Sequence, residues 1–407
     1  MTLDGREANR WPIITAEDEA AVLAVLRDGD VSTHPVTRHL EDDYRKYFGS
    51  RHALTHCNGT AALLASFFAL GLEPGSEVLV PSATFWASVV PMLWCGLIPV
   101  FCETEPDRMG LDPEDAASKI TPRTRAMVVV HLFGMPSRMT ELLSLANKHD
   151  LKIIEDASHA HGAIWRGRKC GTLGDISVFS LQGHKLAPAG EGGILLTNDN
   201  TYAERAMCMG DMVRVLELNT PAARFAGTTF GIKTRMAPLS AALARTQFKY
   251  LDERNARRKE SILYLSERLE RLGFHTFQSP PHVDRVYFEF LVRYDAKRWG
   301  LDRDRLIDAL KAEGCEVGFP RYPLVHQQPL FTEGVNRTIP AMRGVANLPE
   351  YCADALPRTQ AANNDMLKLP SFPSATRPLL DQYAVAFEKV LMNAEAIARA
   401  SRPMVSR

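Results

Sequence analysis

Between residues 50 and 200, short apolar segments alternate with helical stretches, and this alternation constrains the fold more than any other feature of the sequence. The segments are apolar throughout rather than at every second position, as expected of strands that are buried on both faces of a parallel sheet. Helices are predicted to begin near Thr60, Ala83 and Arg138. The sequence therefore predicts an α/β fold, a mostly parallel central sheet flanked by helices, with strands at 77–80, 126–130, 152–155, 176–179 and 193–197.

The segments on either side of this region have a different pattern of apolar and charged residues. Amphipathic helices are predicted at 17–27 and 37–48, and a charged helix begins near residue 250. The mixture that follows is typical of a smaller α+β domain, with strands at 286–294 and 315–319 and helices at 302–313 and 379–400. We expect an arm that packs on the large domain or on a partner chain (1–35), a large domain (36–255) and a small carboxyl-terminal domain (256–407).

The composition argues against several classes of protein. The 407 residues include 48 Lys and Arg against 48 Asp and Glu, so there is no basic surplus for nucleic acid. The seven cysteines form no C-x-x-C pair, and neither a disulfide framework nor a metal site is expected. The longest mostly apolar stretch, 89–101, has 13 residues and is too short to span a membrane. The first ten residues contain acids and no apolar signal region, so we expect a cytoplasmic protein.

Ligands of doubly wound sheets bind at the carboxyl ends of the strands, and four segments of the chain carry groups that suit a ligand there. At Asn58-Gly59-Thr60 a loop turns into a helix, whose N–H groups and Thr60 cap suit a phosphate. An ordinary helix cap is the alternative. Asp156 closes an apolar strand, where a carboxylate needs a cationic or hydrogen-bonding partner. A protonated pyridine nitrogen is such a partner, and capping of the next helix is the alternative.

Two further segments follow the strand predicted at 176–179. Ser180 and Lys185 come just beyond its end. A lysine that is partly desolvated there has a lowered pKa and can form a Schiff base, whereas a solvated surface lysine is the alternative. The glycine-rich turn at 190–193 lets the backbone pass close to whatever Lys185 binds.

The order of these features matches the needs of one cofactor, pyridoxal phosphate (PLP). A phosphate-type helix start precedes an aromatic segment at 84–86, then a strand-end Asp156, then Ser180 and Lys185. The phosphate needs hydroxyl and N–H groups, and the ring face needs an aromatic side chain. The ring nitrogen needs a carboxylate that keeps it protonated, and the aldehyde needs an amine. Each feature is weak alone, and together they indicate a PLP enzyme.

The chain also resembles a known family from Trp11-Pro12 to about residue 400. It is similar to the DegT/StrS-type aminotransferases, the sugar and cyclitol branch of the fold-type I PLP enzymes. The resemblance implies the fold-type I architecture, with a large cofactor-binding domain and a smaller carboxyl-terminal one. It is carried by the segments 58–63 (NGTAAL), 80–87 (VPSATFWA), 128–139 (VVVHLFGMPSRM), 153–163 (IIEDASHAHGA), 174–193 (GDISVFSLQGHKLAPAGEGG), 231–243 (GIKTRMAPLSAAL) and 321–331 (RYPLVHQQPLF).

The resemblance implies a role for each matching position. Lys185 would form the internal aldimine with PLP and later move protons, and Asp156 would pair with the pyridinium nitrogen. Trp86 would stack on the ring. His159 stands where the family often has Gln, near the ring hydroxyl or the opposite ring face, and there its charge would depend on pH. Phosphate binding would fall to Gly59, Thr60 and Ser180.

The segment 231–236 departs from the family pattern. Many members have an Asn there that reaches the phosphate of the neighbouring subunit, and this chain has Lys233. Lys233 would serve the same phosphate as a point charge, or point to solvent. The resemblance therefore implies a homodimer with shared active sites. Candidate substrate contacts are Arg235, His326 and His184, the last of which alternatively fills space beside Lys185.

The resemblance implies an aminotransferase that uses PLP, with pyridoxamine phosphate as its second form. The amino group would pass from Glu or Gln to a keto-sugar, often nucleotide-linked, or to a keto-cyclitol. The stretch 323–331 resembles the branch that acts on inosose-like cyclitols.

Two other activities on the same scaffold remain open from the sequence. A keto-sugar dehydratase is associated with histidine in place of the Schiff-base lysine; Lys185 is present here, although His184 is adjacent. A regulatory protein that binds PLP without turnover would be expected to carry a basic DNA-binding segment, which residues 1–50 lack. A Rossmann dehydrogenase would need a G-x-G-x-x-G motif, which is absent.

Overall fold

The computed structural model describes residues 5–400. Its strands are, in chain order, β1 (His52–His56), β2 (Glu77–Pro81), β3 (Ile98–Cys102), β4 (Thr124–Val130), β5 (Lys152–Asp156), β6 (Ile164–Trp165), β7 (Arg168–Lys169), β8 (Ile176–Ser180), β9 (Gly193–Thr197), β10 (Val283–Asp284), β11 (Phe290–Arg293) and β12 (Met366–Leu369).

A seven-stranded sheet in the order β1-β9-β8-β5-β4-β2-β3 forms the centre of the fold. The strands from β8 to β3 pair in parallel, and β9 runs antiparallel to both of its neighbours. The five strands predicted from the sequence are all present, and the predicted α/β fold with a mostly parallel sheet is confirmed. Because all strands except β9 run the same way, the residues that follow them meet at one edge of the sheet.

The pattern of apolar segments missed the two edge strands of this sheet. In β1, the polar residues of HALTH interrupt the apolar run that marks the inner strands. In β3, Pro99 argues against a strand, but an edge position leaves one side of the strand unpaired, so that a missing N–H donor is tolerated. Two small sheets complete the strand set: β10-β6-β7 and β11-β12.

Helices cover the sheet. The α-helices are α1 (Gly5–Ala8), α2 (Ala16–Asp28), α3 (Val36–Phe48), α4 (Gly59–Leu70), α5 (Pro113–Ser118), α6 (Met139–His149), α7 (Asn200–Gly210), α8 (Met212–Leu216), α9 (Pro238–Lys249), α10 (Leu251–Arg271), α11 (Ala296–Trp299), α12 (Arg303–Ala312), α13 (Pro329–Thr332), α14 (Pro357–Asn364), α15 (Arg377–Met392) and α16 (Ala394–Arg399). The 3₁₀ helices are Trp86–Ser88, Val90–Cys95, Leu132–Gly134, Pro221–Phe225, Val325–Gln327, Val335–Thr338 and Pro340–Met342. Among the described residues, no helix combines the length and the apolar character that crossing a membrane requires.

The α-helix predicted from Ala83 is wrong. The chain forms two 3₁₀ segments there, Trp86–Ser88 and Val90–Cys95. Pro91 lacks an N–H group, and its ring would clash with the preceding turn of a continuous α-helix. The break places Ser88 and Phe85 beside the carboxyl edge of the sheet.

Two elements predicted in the carboxyl-terminal part also differ. The predicted strand 286–294 is paired only over β11, and the predicted strand 315–319 is reduced to a single bridge between Gly318 and Lys368. The strand that pairs with β11 is β12, which the sequence pattern missed. The last predicted helix is divided at Asn393 into α15 and α16.

Buried apolar side chains form two cores. The larger one surrounds the central sheet, and residues from 324 to 366 return to it late in the chain. The smaller one lies between α10, α12, α15 and the β11-β12 sheet. The domain limits 36–255 and 256–407 stay a prediction.

The amino-terminal arm packs on its own chain. Helix α2, which starts with a capping box between Thr15 and Asp18, lies against α9. Asp18 accepts hydrogen bonds from Gln247 and Thr246 on that helix. Before α2, Trp11 donates from Nε1 to the carbonyl of Lys185 at 3.0 Å, so the arm contacts the segment that carries the candidate Schiff-base lysine.

Candidate active site

A cavity of about 380 Å³ opens at the carboxyl edge of the central sheet. Of the residues predicted from the sequence, Gly59, Thr60, Asp156, His159, Ser180, His184 and Lys185 line it. They come from three segments of the chain, 59–60, 156–159 and 180–185, and the parallel strand order brings them together.

The amino-terminal end of α4 forms one wall of the cavity. Asn58, not Thr60, caps this helix, because its Oδ1 accepts from the N–H of Ala61 at 2.8 Å. The Thr60 hydroxyl is therefore not used as the cap. A Cβ on Gly59 would lie 2.8 Å from the Cβ of Ser180, which explains why glycine is needed where the helix passes the end of β8. The first N–H groups of a helix have no intrahelical acceptor and attract anions.

The Asp156 carboxylate lies at the end of β5 and is 6 % exposed. Its Oδ2 accepts from the hydroxyl of Ser88 at 2.6 Å, and its Oδ1 accepts from the N–H of Ser158 at 3.1 Å. A carboxylate has about four acceptor positions, so it can accept a further donor from the cavity.

The neighbouring Glu155 has a different, structural environment. It points away from the cavity and binds His131 at 2.9 Å together with the N–H groups of Gly171, Leu173 and Gly174. Burial alone would raise its pKa, but these hydrogen bonds outweigh burial and lower it.

The Lys185 amine is buried in the wall of the cavity. The side chain is 8 % exposed, and Nζ lies 4.6 Å from the ring centroid of Phe288. Burial lowers the pKa of Lys185 to about 8; Asp156 opposes this shift, and Arg321 adds to it. With this pKa roughly a tenth of Lys185 is unprotonated at pH 7, whereas an ordinary lysine is almost wholly charged.

This pKa gives a first testable prediction. Only the neutral amine attacks a carbonyl, so in protein freed of cofactor the rate of reductive methylation of Lys185 by formaldehyde should rise with pH and level off above about 8. Exposed Lys249, whose pKa is raised by the hydrogen bond to Glu17, is the control and should keep gaining reactivity beyond that pH. Peptide mass spectrometry measures both rates. A Lys185 profile that follows that of Lys249 would contradict the lowered pKa.

His159 forms part of an aromatic stack over the cavity. Its ring lies 4.0 Å from that of Phe288 at an interplanar angle of 9°. Nδ1 accepts from the N–H of Phe133, which leaves the proton on Nε2, 3.1 Å from the Tyr322 hydroxyl. Burial, then Lys185, lower the pKa of His159 well below its ordinary value. The lowered pKa favours a neutral His159 ring at neutral pH, and the role of His159 beside the cofactor stays a prediction.

Sequence reasoning missed several residues of the cavity. Phe85 lines the cavity from the segment that was assigned to a helix, and Ser88 of the same segment is connected to the cavity through its hydrogen bond to Asp156. Phe288 lies in the segment that was assigned to a strand. Arg321 and Tyr322 arrive from more than 130 residues beyond Lys185. Apart from the family resemblance of 321–331, no sequence pattern points to them, because packing between the two cores brings them to the cavity.

Comparison with known proteins decides the family. Residues 12–384 match the DegT/DnrJ/EryC1/StrS aminotransferase family. The chain belongs to this family. It is an aminotransferase, and PLP is the cofactor that the family implies.

Among similar members of the family is a protein of Streptoalloteichus tenebrarius assigned as an L-glutamine:3-amino-2,3-dideoxy-scyllo-inosose aminotransferase, 35% identical over 330 residues, 79% of each chain. GDP-perosamine synthase of Caulobacter vibrioides is 32% identical over 356 residues, covering 86% of this chain and 89% of the synthase. The crystal structure of 3-amino-5-hydroxybenzoic acid synthase superposes with a TM-score of 0.81 at 27% identity, over 96% of this chain and 98% of the synthase.

Four residues predicted from the family resemblance do not line the cavity. The side chains of Trp86 and Lys233 are exposed, and Arg235 donates to the hydroxyl of Ser32 at 2.8 Å. His326 is buried with both ring nitrogens engaged: Nε2 donates to the carbonyl of Ala353, and Nδ1 accepts from the Ser82 hydroxyl. His326 therefore has a packing role in this structure, and the functional roles expected of Trp86, Lys233, Arg235 and His326 remain predictions.

Proposed function

We propose that this aminotransferase moves the amino group of glutamine or glutamate to a keto-cyclitol or a keto-sugar, with Lys185 as its catalytic acid and base. The observation that carries the proposal is the pairing, in one cavity, of a buried lysine of lowered pKa with the strand-end carboxylate of Asp156. The cavity also has the helix start that suits a phosphate.

The cavity residues fit PLP. Lys185 Nζ makes no hydrogen bond to any residue between 5 and 400, so the buried amine is available for the cofactor's aldehyde. Asp156 has acceptor capacity left for a protonated ring nitrogen. Gly59, Thr60 and Ser180 would bind the phosphate at the start of α4. When bound, PLP supplies an electron sink for the carbon that gains or loses the amino group.

The protein residues then have separate tasks. Lys185 Nζ takes the proton from the donor's α-carbon and returns it on the cofactor's side, which a pKa near the working pH favours. The Ser88 hydroxyl and the Ser158 N–H fix the Asp156 carboxylate, so its charge is oriented before the reaction begins. The neutral ring of His159 packs on Phe288 and leaves Lys185 as the group that moves protons.

The names of the relatives support the choice of substrates. One relative is assigned to L-glutamine and an inosose, and another makes an amino sugar linked to GDP. The sequence resemblance of 323–331 to the inosose-acting branch favours the cyclitol among these acceptors.

A half-reaction screen tests the acceptor. Protein loaded with pyridoxamine phosphate is mixed with single ketones, and the absorbance of PLP bound to Lys185 is followed. We expect an inosose-type cyclitol to restore that absorbance faster than a nucleotide-linked keto-sugar or a simple 2-oxo acid other than 2-oxoglutarate. Failure of all cyclitols and keto-sugars would refute the proposed acceptor class.

We also propose a homodimer with shared active sites. Phe230 and Ile232, in the segment of Lys233, are exposed, as are Met212 and Leu216 in α8. Backbone hydrogen bonds from Phe230 to Cys208 and from Thr234 to Gly210 hold this segment against the end of α7, from which α8 follows. Exposed apolar side chains that cluster in this way are typical of a protein interface. In such a dimer Lys233 would reach the phosphate of the partner's site, where its charge would be compensated.

Subunit mixing gives a second prediction. The variants Lys185→Ala and Lys233→Glu should each be inactive as homodimers, the first without its amine and the second with a negative charge beside the phosphate. Hybrid dimers contain one site with both native residues. Random re-pairing should therefore restore roughly a quarter of wild-type activity, because half of the dimers are hybrid and half of their sites are intact.

The control is a chain that carries both substitutions, mixed with either single variant, which should restore nothing because no site then has both native residues. Subunit exchange is verified with differently tagged chains. A mixture of the two single variants that stays inactive after exchange would show that Lys233 does not serve the partner's site.

A further inference from the structure

A second cavity, of about 530 Å³, adjoins the cofactor cavity. The two share His184, Phe288 and Arg321 in their walls. The second cavity extends between the central sheet and the smaller core, and its inner wall contains Arg258 of α10 and Trp11 of the arm.

Arg258 is a buried cation with an incomplete set of partners. It is 1 % exposed, and its Nε and Nη1 are buried without a hydrogen-bond acceptor. Its guanidinium carbon lies 3.9 Å from the ring centroid of Trp11. Burial, then the nearby charge of Arg254, lower the pKa of Arg258 to about 9. A buried charge without a counter-ion is costly, and an anion in the adjacent cavity would remove that cost.

The other buried arginines within residues 5–400 have polar partners in the protein. Arg214 pairs with Glu41 and Asp211. Arg254, which lies one turn before Arg258 on α10, donates to the side chain of Gln247 and to the carbonyl of Ile13. Arg285 donates to the carbonyls of Phe277 and Phe133, although its Nε has no acceptor. Of these buried arginines, Arg258 is the one without a hydrogen bond to another described residue, and it lies in the wall of a cavity.

The acidic residues of the cavity do not compensate Arg258. Glu289 is buried, but its Oε1 pairs with Arg321 at 2.5 Å and lies 3.8 Å from Lys368. Glu316 and Lys311 are exposed and carry opposite charges. The two remaining basic side chains, Arg321 and Lys368, therefore share the charge of Glu289, and the positive charge of Arg258 is left for a ligand.

A short series of contacts connects Arg258 to the reacting lysine. The guanidinium packs on the Trp11 ring, and the Trp11 Nε1 donates to the carbonyl of Lys185. The cavity therefore begins beside the segment 184–185, where an amino donor would be bound with its nitrogen near Lys185.

We propose that this second cavity is the carboxylate subsite for the amino donor and that Arg258 binds a carboxylate of that donor. The inference rests on the proposed function and deepens it. The forked, planar guanidinium of arginine suits a carboxylate, and a glutamine or glutamate donor always carries one. A keto-cyclitol has none, so Arg258 would distinguish the donor from the acceptor in a site that receives both.

Glutarate is the probe for this subsite, because it has carboxylates and no amino group to transfer. PLP-loaded protein is titrated with glutarate, and the dissociation constant is taken from the shift of the thermal unfolding midpoint. In Arg258→Gln the dissociation constant should rise by at least about tenfold, since a hydrogen-bonded ion pair is lost. The control, Arg254→Gln, removes a cation from the same helix and the same Trp11 ring, and it should leave the constant within about twofold.

Steady-state kinetics distinguishes two roles of Arg258: binding the carboxylate of the donor, and only positioning Trp11. In Arg258→Gln the KM for the amino donor should rise at least about tenfold, whereas the KM for a ketone without a carboxylate should stay unchanged. A variant in which both half-reactions lose kcat equally, with KM unchanged, would overturn the subsite and show a positioning role. Arg258→Lys keeps the charge but not the forked guanidinium. Its KM for the amino donor should lie between those of Arg258→Gln and the wild-type protein.

A phosphate group of the acceptor is the other source of an anion for Arg258. Titration with inorganic phosphate distinguishes it from the carboxylate of the donor. If phosphate protects the wild-type protein through Arg258 and glutarate does not, the donor subsite is overturned in favour of a phosphate carried by the acceptor. Wild-type protein without saturable protection by glutarate would overturn the proposal irrespective of any variant. Glutarate binding through Arg258 in a protein that converts no cyclitol or keto-sugar would count against the proposed acceptors and support the subsite.

Discussion

Replacing Lys185 by alanine should abolish the absorbance of lysine-bound PLP and lower amino transfer by several orders of magnitude, since in the proposed function the amine both binds the cofactor and moves the proton. The fold should survive. The contact of Trp11 is to the backbone carbonyl of Lys185, and the variant removes a buried charge whose pKa is lowered by burial. Absorbance and steady-state turnover measure the effect, and circular dichroism verifies the fold.

The adjacent His184→Ala is the matched control, because it changes an exposed side chain at the same turn and leaves the amine in place. It should keep the absorbance of the bound cofactor. A folded Lys185→Ala protein with unchanged absorbance and turnover would contradict the assignment of the whole site.

Asp156→Asn should retain PLP and lose about 10²–10³-fold in turnover, the scale on which loss of a preorganised electrostatic contact acts. The substitution keeps the size of the side chain and removes the negative charge that would hold the ring nitrogen protonated. The loss should appear in kcat and kcat/KM together, because the interaction matters in the transition state.

Two controls distinguish this charge from its surroundings. Ser88→Ala removes one hydrogen bond from the carboxylate and keeps its charge, so about a tenfold loss is expected. Glu155→Gln should lower the stability of the fold rather than turnover. Glu155 binds His131 and three backbone N–H groups away from the cavity. Turnover of Asp156→Asn near that of wild type would mean that another carboxylate serves the ring nitrogen.

The central sheet was largely predictable because its inner strands are apolar on both faces. The predicted strand 126–130, for example, contains no polar residue, and the corresponding strand β4 of the structure is buried from Ala126 onward. The edge strands β1 and β3 were not predictable in this way, since a strand with one neighbour tolerates histidine, threonine or proline.

The candidate site was predictable where chemistry follows a strand end and unpredictable where packing between distant segments builds it. Asp156 ends β5 and Lys185 follows the end of β8 by five residues, so neighbouring strands of the sheet bring them to the same edge. Phe288 and Arg321 reach the same cavity only through packing of the carboxyl-terminal part. His326 was a candidate substrate contact from the family resemblance of 321–331, and the sequence alone does not show that both of its ring nitrogens have partners within the protein.

The most direct test of the account is a single half-reaction with PLP-loaded wild-type protein. Adding L-glutamine or L-glutamate without any ketone should remove the absorbance of PLP bound to Lys185 and release one equivalent of the corresponding 2-oxo acid per active site. Lys185→Ala should do neither. If both donors leave the wild-type spectrum unchanged and no 2-oxo acid forms, amino transfer through Lys185 from these donors is contradicted.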